Sequence, residues 1–389
     1  MVQTENSQQI ELYNLLSAEA IANPYPIYQR LRSEAPVYWS DLLGGSWLVT
    51  RYADCAAAMR DPRLVEVYGK TLWMLGLDLP EHNKFRVLVH KAFTAHVMER
   101  MRSHIQTLTD ELIASVQDAG RMDVIRDLAY PLPIIVVAEL LGVLPQERDL
   151  FKSWSDDFGI LLGSGTPTPD IAKQAQRSVL ELADYLRNVV KQRREHPKND
   201  LITNLIAVEE EGEGLSEEEL LGLCVLLIWA GNETTRNLIG NGLLALLRHP
   251  DRLQQLKDEP SSIAPAVEEL LRYDSAVQWT SRIVQEDFEL HGQQIRKRQR
   301  LLLIWGSANR DPAQFPDPDR LDINRQPNQH LAFGGGSHFC LGAALARIEG
   351  QIAINTILRR LPALQLETET LQWHDHSAFR GLKSLPVVF

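Results

Sequence analysis

The 389-residue chain is 44% hydrophobic and carries a formal net charge of −11 at pH 7, enough apolar material for a large core and a surface that disfavours nucleic acid as a partner. Its three scattered cysteines argue against a disulfide framework and for a reducing, cytoplasmic setting. No Pro/Ser-rich linker, repeat or low-complexity tract divides it, so residues 1–389 read as a single domain. The N-terminal segment lacks the basic and apolar blocks of a signal peptide. The longest apolar stretch, Leu220 to Ala230, is too short to cross a bilayer, so no membrane association is expected.

In chain order, Pro24 opens a short helix carrying Ile27 and Leu31. Val37-Tyr38-Trp39 and Trp47-Leu48-Val49-Thr50 then flank Gly44-Gly45, the pattern of a hairpin. From about Asp78 to the region of Arg380 helices predominate, separated by Pro, Gly and Asp/Ser breaks. Strand signals return at Ser281 to Val284, Leu301 to Ile304 and Leu385 to Phe389. The predicted class is mainly α with small peripheral β-sheets. In Pro80-Glu81-His82-Asn83-Lys84-Phe85-Arg86, the spacing of four puts His82 and Arg86 on one helical face.

Ser216 and Glu219 form a capping-box pattern, and nothing need stop the helix it opens before His249-Pro250. A helix over about 216–248 is roughly 50 Å long. Its middle is apolar on nearly every face, so it crosses the interior. There stands Ala230-Gly231-Asn232-Glu233-Thr234-Thr235, polar groups that cost several kcal/mol to bury unpaired. One reading is a threonine bonding back to a carbonyl one turn earlier; the other is an acid and alcohol pair with a chemical task. Further on, Glu269-Leu270-Leu271-Arg272 sets a carboxylate and a guanidinium three apart on one face, by itself the mark of an ordinary ion pair.

Phe333-Gly334-Gly335-Gly336-Ser337-His338-Phe339-Cys340-Leu341-Gly342 is a glycine-softened loop that delivers one cysteine to a helical stretch through Leu341, Leu345, Ile348 and Ile352. A thiolate at a helix N-terminus is stabilised as an anion and suits a soft or redox metal. Neither CxxC nor CxH surrounds it, so tetrahedral zinc lacks ligands, whereas one axial haem ligand requires a single thiolate. The plain alternative is a glycine-rich turn with a structural cysteine.

The loop resembles the haem-binding signature of cytochromes P450, with Phe333, Gly334, Gly336, His338, Cys340 and Gly342 at matching positions. The segment from Ala230 to Thr234 resembles the family's long distal helix, and Glu269 with Arg272 resembles its Glu-x-x-Arg pair. The resemblance implies the cytochrome P450 fold, with the Cys340 loop preceding a proximal helix. It also implies haem b held through Cys340, propionates held by His82, Arg86, Arg282 and His338, and Ala230 and Gly231 leaving room for O₂. Glu233 and Thr234 would relay protons, and Arg320 would complete a structural trio with Glu269 and Arg272. Two departures are Asp78-Leu79-Pro80 for the usual Asp-Pro-Pro and Leu321 for the usual Phe.

The activity so implied is monooxygenation of a hydrophobic small molecule of polyketide, terpenoid, steroid or fatty-acid type. Two electrons would come from NAD(P)H through a ferredoxin or flavodoxin and its reductase, and the enzyme is expected to be a monomer. Substrate contacts would come from Leu226, Trp229, Val277, Gln278, Trp279 and Phe379, with Val65 to Leu77 as a lid. Lys84, Lys91 and Arg347 would form a docking patch for the electron donor. The alternatives are a peroxide-driven haem-thiolate peroxygenase and a haem-based gas sensor.

Overall fold

The computed structural model describes residues 13–66, 74–92, 94–143, 168–208, 215–375 and 377–389, with a few positions between 147 and 157. Among the described residues helices dominate, with three small sheets, as the sequence predicts. The chain divides into two compact units. One is residues 1–67, 244–340 and 371–383; the other is 68–243, 341–370 and 384–389.

The first unit is built on a five-stranded sheet. Its order is Val37–Ser40, Ser46–Val49, Arg300–Leu303, Thr280–Val284, Leu64–Val65. The predicted hairpin pairs Val37 with Val49 antiparallel, and its turn passes through Gly44 at φ +78° and Gly45 at φ +107°, backbone that favours glycine. Ser46–Val49 pairs in parallel with Arg300–Leu303. Leu301 and Leu303 face a core with Val49, Cys55 and Val284, while Leu302 and Ile304 face another with Tyr28, Leu31 and Leu48. Burial on both faces is why that strand is an unbroken apolar run rather than an alternating one. The helix Tyr25–Glu34 supplies Tyr28 and Leu31 to the second core. A small hairpin, Phe288–Leu290 with Gln293–Ile295, turns at His291 and Gly292, both at positive φ, the geometry that two-residue hairpin loops need.

In the second unit the helices Arg102–Gln117 and Ala343–Arg360 pack together. They are tied by Gln106 Nε2 donating to Thr356 Oγ1 at 2.9 Å and by Arg360 donating to the Asp110 carbonyl at 2.8 Å. The helix Pro131–Leu140 is apolar except for Glu139 and almost wholly buried. Pro386–Val388 joins Arg121–Asp123 and Gln365–Leu366 in a three-stranded sheet. The long helix spans Glu217–Leu247. Its capping box is formed: Ser216 N–H donates to Glu219 Oε2 at 2.7 Å, and Glu219 N–H donates to Ser216 Oγ at 3.3 Å. A Cβ at Gly231 would lie 2.7 Å from Val137 Cγ2 and one at Gly240 2.5 Å from Ile125 Cδ1, so these glycines let neighbouring elements approach closely.

Among the described residues, no helix is long and apolar enough to cross a membrane.

Candidate functional site

The cysteine loop is shaped by its glycines. Gly334 sits at φ +69° and Gly336 at φ +66°, and a Cβ at Gly336 would lie 2.4 Å from the Met59 carbonyl oxygen. Only glycine meets both conditions without displacing backbone. The loop closes when Cys340 N–H donates to the Phe333 carbonyl at 2.9 Å. Cys55 and Cys224 are buried, and burial pushes the Cys224 thiol up to about 12 and Cys55 further in the same direction. Cys340 is only half-buried, which makes it the cysteine suited to ligation. The helix expected to begin at Cys340 begins at Ala343, with Gly342 at its N-cap.

Upstream, the Glu-x-x-Arg pair is an ordered and fully buried cluster. Arg272 donates to both Glu269 oxygens at 2.7 and 2.8 Å, and to the carbonyls of Asn309 and Pro318 at 2.8 Å. The third member differs from the expectation. Arg325, not Arg320, brings its guanidinium to Glu269 at 3.2 Å, and Arg320 contributes its carbonyl, which accepts from Arg272 and Arg325. Both arginines lie on one irregular segment, so linear spacing did not discriminate between them. Asn309, which sequence reasoning passed over, accepts from Leu331 N–H at 2.7 Å and donates to Ser275 Oγ at 2.8 Å, fixing the chain just before the loop.

Two of the four proposed propionate cations meet in the first unit. Arg282 and His338 both face Glu66, with nitrogen–oxygen distances of 2.8 and 3.7 Å. A buried carboxylate held by these two side chains demonstrates that they can receive a carboxylate, so the residues present fit a group that carries one. Glu66 was not singled out in the sequence; its signal, an acid ending a short apolar strand, is too common to stand out. In the second unit, His82 and Arg86 lie on the helix Glu81–Ala92, where burial, aided by the Arg86 charge, lowers the His82 pKa. Arg86 also donates to His90 Nε2 at 3.0 Å.

On the long helix, the stretch around Ala230 breaks an otherwise buried run: Ala230 is exposed, and Gly231, Glu233 and Thr234 are half-buried. Thr234 Oγ1 donates to the Ala230 carbonyl at 2.8 Å, the back-bonded conformation considered from sequence. Glu233 Oε1 pairs with Arg236 at 3.2 Å, and Arg236 lies 6.0 Å from the Tyr130 ring centroid. The i,i+3 spacing of Glu233 and Arg236 was a legible signal for that pair. Leu226 and Trp229 are buried.

The segments of Val277 and Phe379 are brought together. These residues oppose each other across an antiparallel bridge, flanked by Gln278 N–H to the Ala378 carbonyl and Arg380 N–H to the Ala276 carbonyl, each 2.8 Å. Gln278 is 2% exposed and donates to the Ser275 carbonyl at 2.7 Å, against Gly306. Trp279 donates to Ser377 Oγ at 3.2 Å and packs on the Tyr28 core. Both side chains thus have structural partners. Met74 of the expected lid is buried, while Tyr68, Leu72 and Trp73 lie outside the described residues, as do the side chains of Lys84 and Lys91 from the proposed docking patch.

The sequence profile of cytochrome P450 matches residues 164–372. The chain is 38% identical to the polyketide biosynthesis cytochrome P450 PksS of Bacillus subtilis, over 94% of this chain and 95% of that one. It is 39% identical to the vitamin D(3) 25-hydroxylase of Pseudonocardia autotrophica, over 97% and 96%. Its fold superposes with a TM-score of 0.90 on a myxobacterial cytochrome P450 in complex with myristic acid, at 39% identity over 97% and 98% of the two chains.

Proposed function

The chain belongs to the cytochrome P450 family, and on that premise we propose which of its residues carry the chemistry. It is a haem-thiolate monooxygenase that uses haem b, O₂ and electrons from NAD(P)H, supplied by an external redox partner, on a hydrophobic small molecule. The loop from Phe333 to Gly342, presenting the half-buried Cys340, is the observation on which the assignment rests. Cys340 would supply the thiolate ligand, and the haem would supply O₂ activation when bound. Arg282, His338, His82 and Arg86 would hold the propionates. Phe333, Gly334 and Gly342 shape the loop.

Glu233 and Thr234 would hold and pass on the protons that the reaction consumes. In the geometry described, Glu233 is held by Arg236 and Thr234 by the Ala230 carbonyl, so each would exchange a resting partner for its role in turnover. Ala230, exposed in mid-helix, and Gly231 border the space where oxygen reacts. Leu226, Trp229, Val277, Gln278, Trp279 and Phe379 are the residues that would wall the substrate. An apolar wall of this kind suits a hydrophobic molecule of moderate size. The relatives named for polyketide biosynthesis and vitamin D(3) hydroxylation, and the one bound to myristic acid, support a substrate of that class. The electron donor is a ferredoxin or flavodoxin with its reductase, the whole operates in the cytoplasm, and residues 1–389 act as one catalytic domain.

Two measurements test the proposal. Cys340→Ser is expected to fold but to lose the thiolate-type absorption of the reduced carbon monoxide complex; retention of that absorption and of turnover removes Cys340 as ligand. Product formation should depend on the NAD(P)H-driven protein donor. Equal or better turnover with H₂O₂ alone favours a peroxygenase, and no turnover with either favours a sensor.

A further inference from the structure

We propose that Glu66 is a built-in competitor for the haem propionates: its carboxylate occupies Arg282 and His338, and its negative charge weakens the hold of those cations on the cofactor. The inference rests on the reading of Arg282 and His338 as propionate partners.

Its basis is the register of the sheet. Leu64 pairs with Val284 and Val65 with Ile283. One residue further in the same antiparallel register, Glu66 comes opposite Arg282, where it makes an ion pair of 2.8 Å. His338, at the end of the short 3₁₀ turn Gly336–His338, approaches the same Glu66 oxygen at 3.7 Å. The Glu66 and Arg282 side chains are 4% and 6% exposed, and His338 is 13% exposed. Arg282 also donates to the Ser281 carbonyl at 2.8 Å, which holds the guanidinium in place.

With Glu66 ionised, an incoming propionate meets one positive charge fewer, whether it displaces Glu66 or shares the cations with it. In a partly buried site a like charge at close range is a substantial penalty. Glu66 also keeps Arg282 from being a buried, uncompensated cation when no propionate is present, which would be strongly unfavourable. The acid thus steadies the site before loading and loosens the cofactor after it.

The test is haem release from the purified holoenzyme to excess apomyoglobin. Glu66→Gln should slow release about tenfold, the scale expected for removing one like charge from a partly buried anion site. Glu286→Gln, which neutralises an exposed acid nearby in sequence, should leave the rate unchanged. Arg282→Gln should accelerate it. Release from Glu66→Gln as fast as or faster than wild type, with Arg282→Gln accelerated, overturns the role of Glu66 and leaves the propionate reading intact. Unchanged release from Arg282→Gln overturns both. Should Glu66→Gln yield no folded protein, Glu66→Ser, neutral and smaller, carries the same expectation.

Discussion

Thr234, half-buried, and Glu349, fully buried, illustrate how differently a polar side chain on a helix can be maintained. Thr234 spends its hydroxyl on the Ala230 carbonyl, so its substitution should cost little in folding and act on proton delivery. Thr234→Ala is expected to consume NAD(P)H at a rate near wild type while forming several-fold less product per NAD(P)H and more peroxide; unchanged coupling would shift suspicion to Thr235. Glu349, in the helix Ala343–Arg360, is 1% exposed, and among the described residues its Oε2 has no hydrogen-bond partner. Burial raises its pKa well above the usual carboxylate value. The folded chain therefore retains a proton that the unfolded chain releases near pH 4.5. Its stabilising contribution is complete below that pH and falls as pH rises toward the folded pKa. Glu349→Gln should remove this dependence, so that its denaturation midpoint exceeds wild type by a margin that widens from pH 5 to pH 8. A constant margin would mean that Glu349 is not the titrating group.

The segment Asn309 to Asn328 has little regular structure, yet it is tied down by a dense set of hydrogen bonds to Glu269 and Arg272. Arg272 donates to the carbonyls of Asn309, Pro318 and Arg320. Glu269 accepts from Arg272, Arg325, Asp322 N–H and Asn328 Nδ2. These charge-assisted bonds replace the ladder that a helix or sheet would provide. Glu269→Gln leaves two guanidinium groups short of their counter-charge and is expected to destabilise the protein by about 3–5 kcal/mol, read as a drop in the unfolding midpoint with loss of bound haem. Arg320→Ala removes only a side chain, since its carbonyl makes the contacts, and should fall within about 1 kcal/mol of wild type. Equal losses from the two variants would return Arg320 to the third place in the cluster.

The chain passes between its two compact units five times, at residues 67/68, 243/244, 340/341, 370/371 and 383/384, so neither unit is a continuous segment that could be excised. If residues 1–389 act as one catalytic domain, as proposed above, the two units unfold together. Calorimetry of the holoenzyme should then give a single transition whose midpoint falls when haem is removed, because a ligand bound to the native state stabilises it by mass action. Two resolved transitions would instead indicate two domains. Much of the molecule was legible without coordinates. The long helix and its capping box, the Gly44-Gly45 hairpin, the strand of four apolar residues and the glycine loop around Cys340 follow from local rules of capping, periodicity and backbone freedom. Arg325 in place of Arg320, Glu66 opposite Arg282, Val137 against Gly231 and the bridge from Val277 to Phe379 were not legible. Each depends on register or packing between segments distant in the chain, and local propensity carries no information about which residues those contacts join.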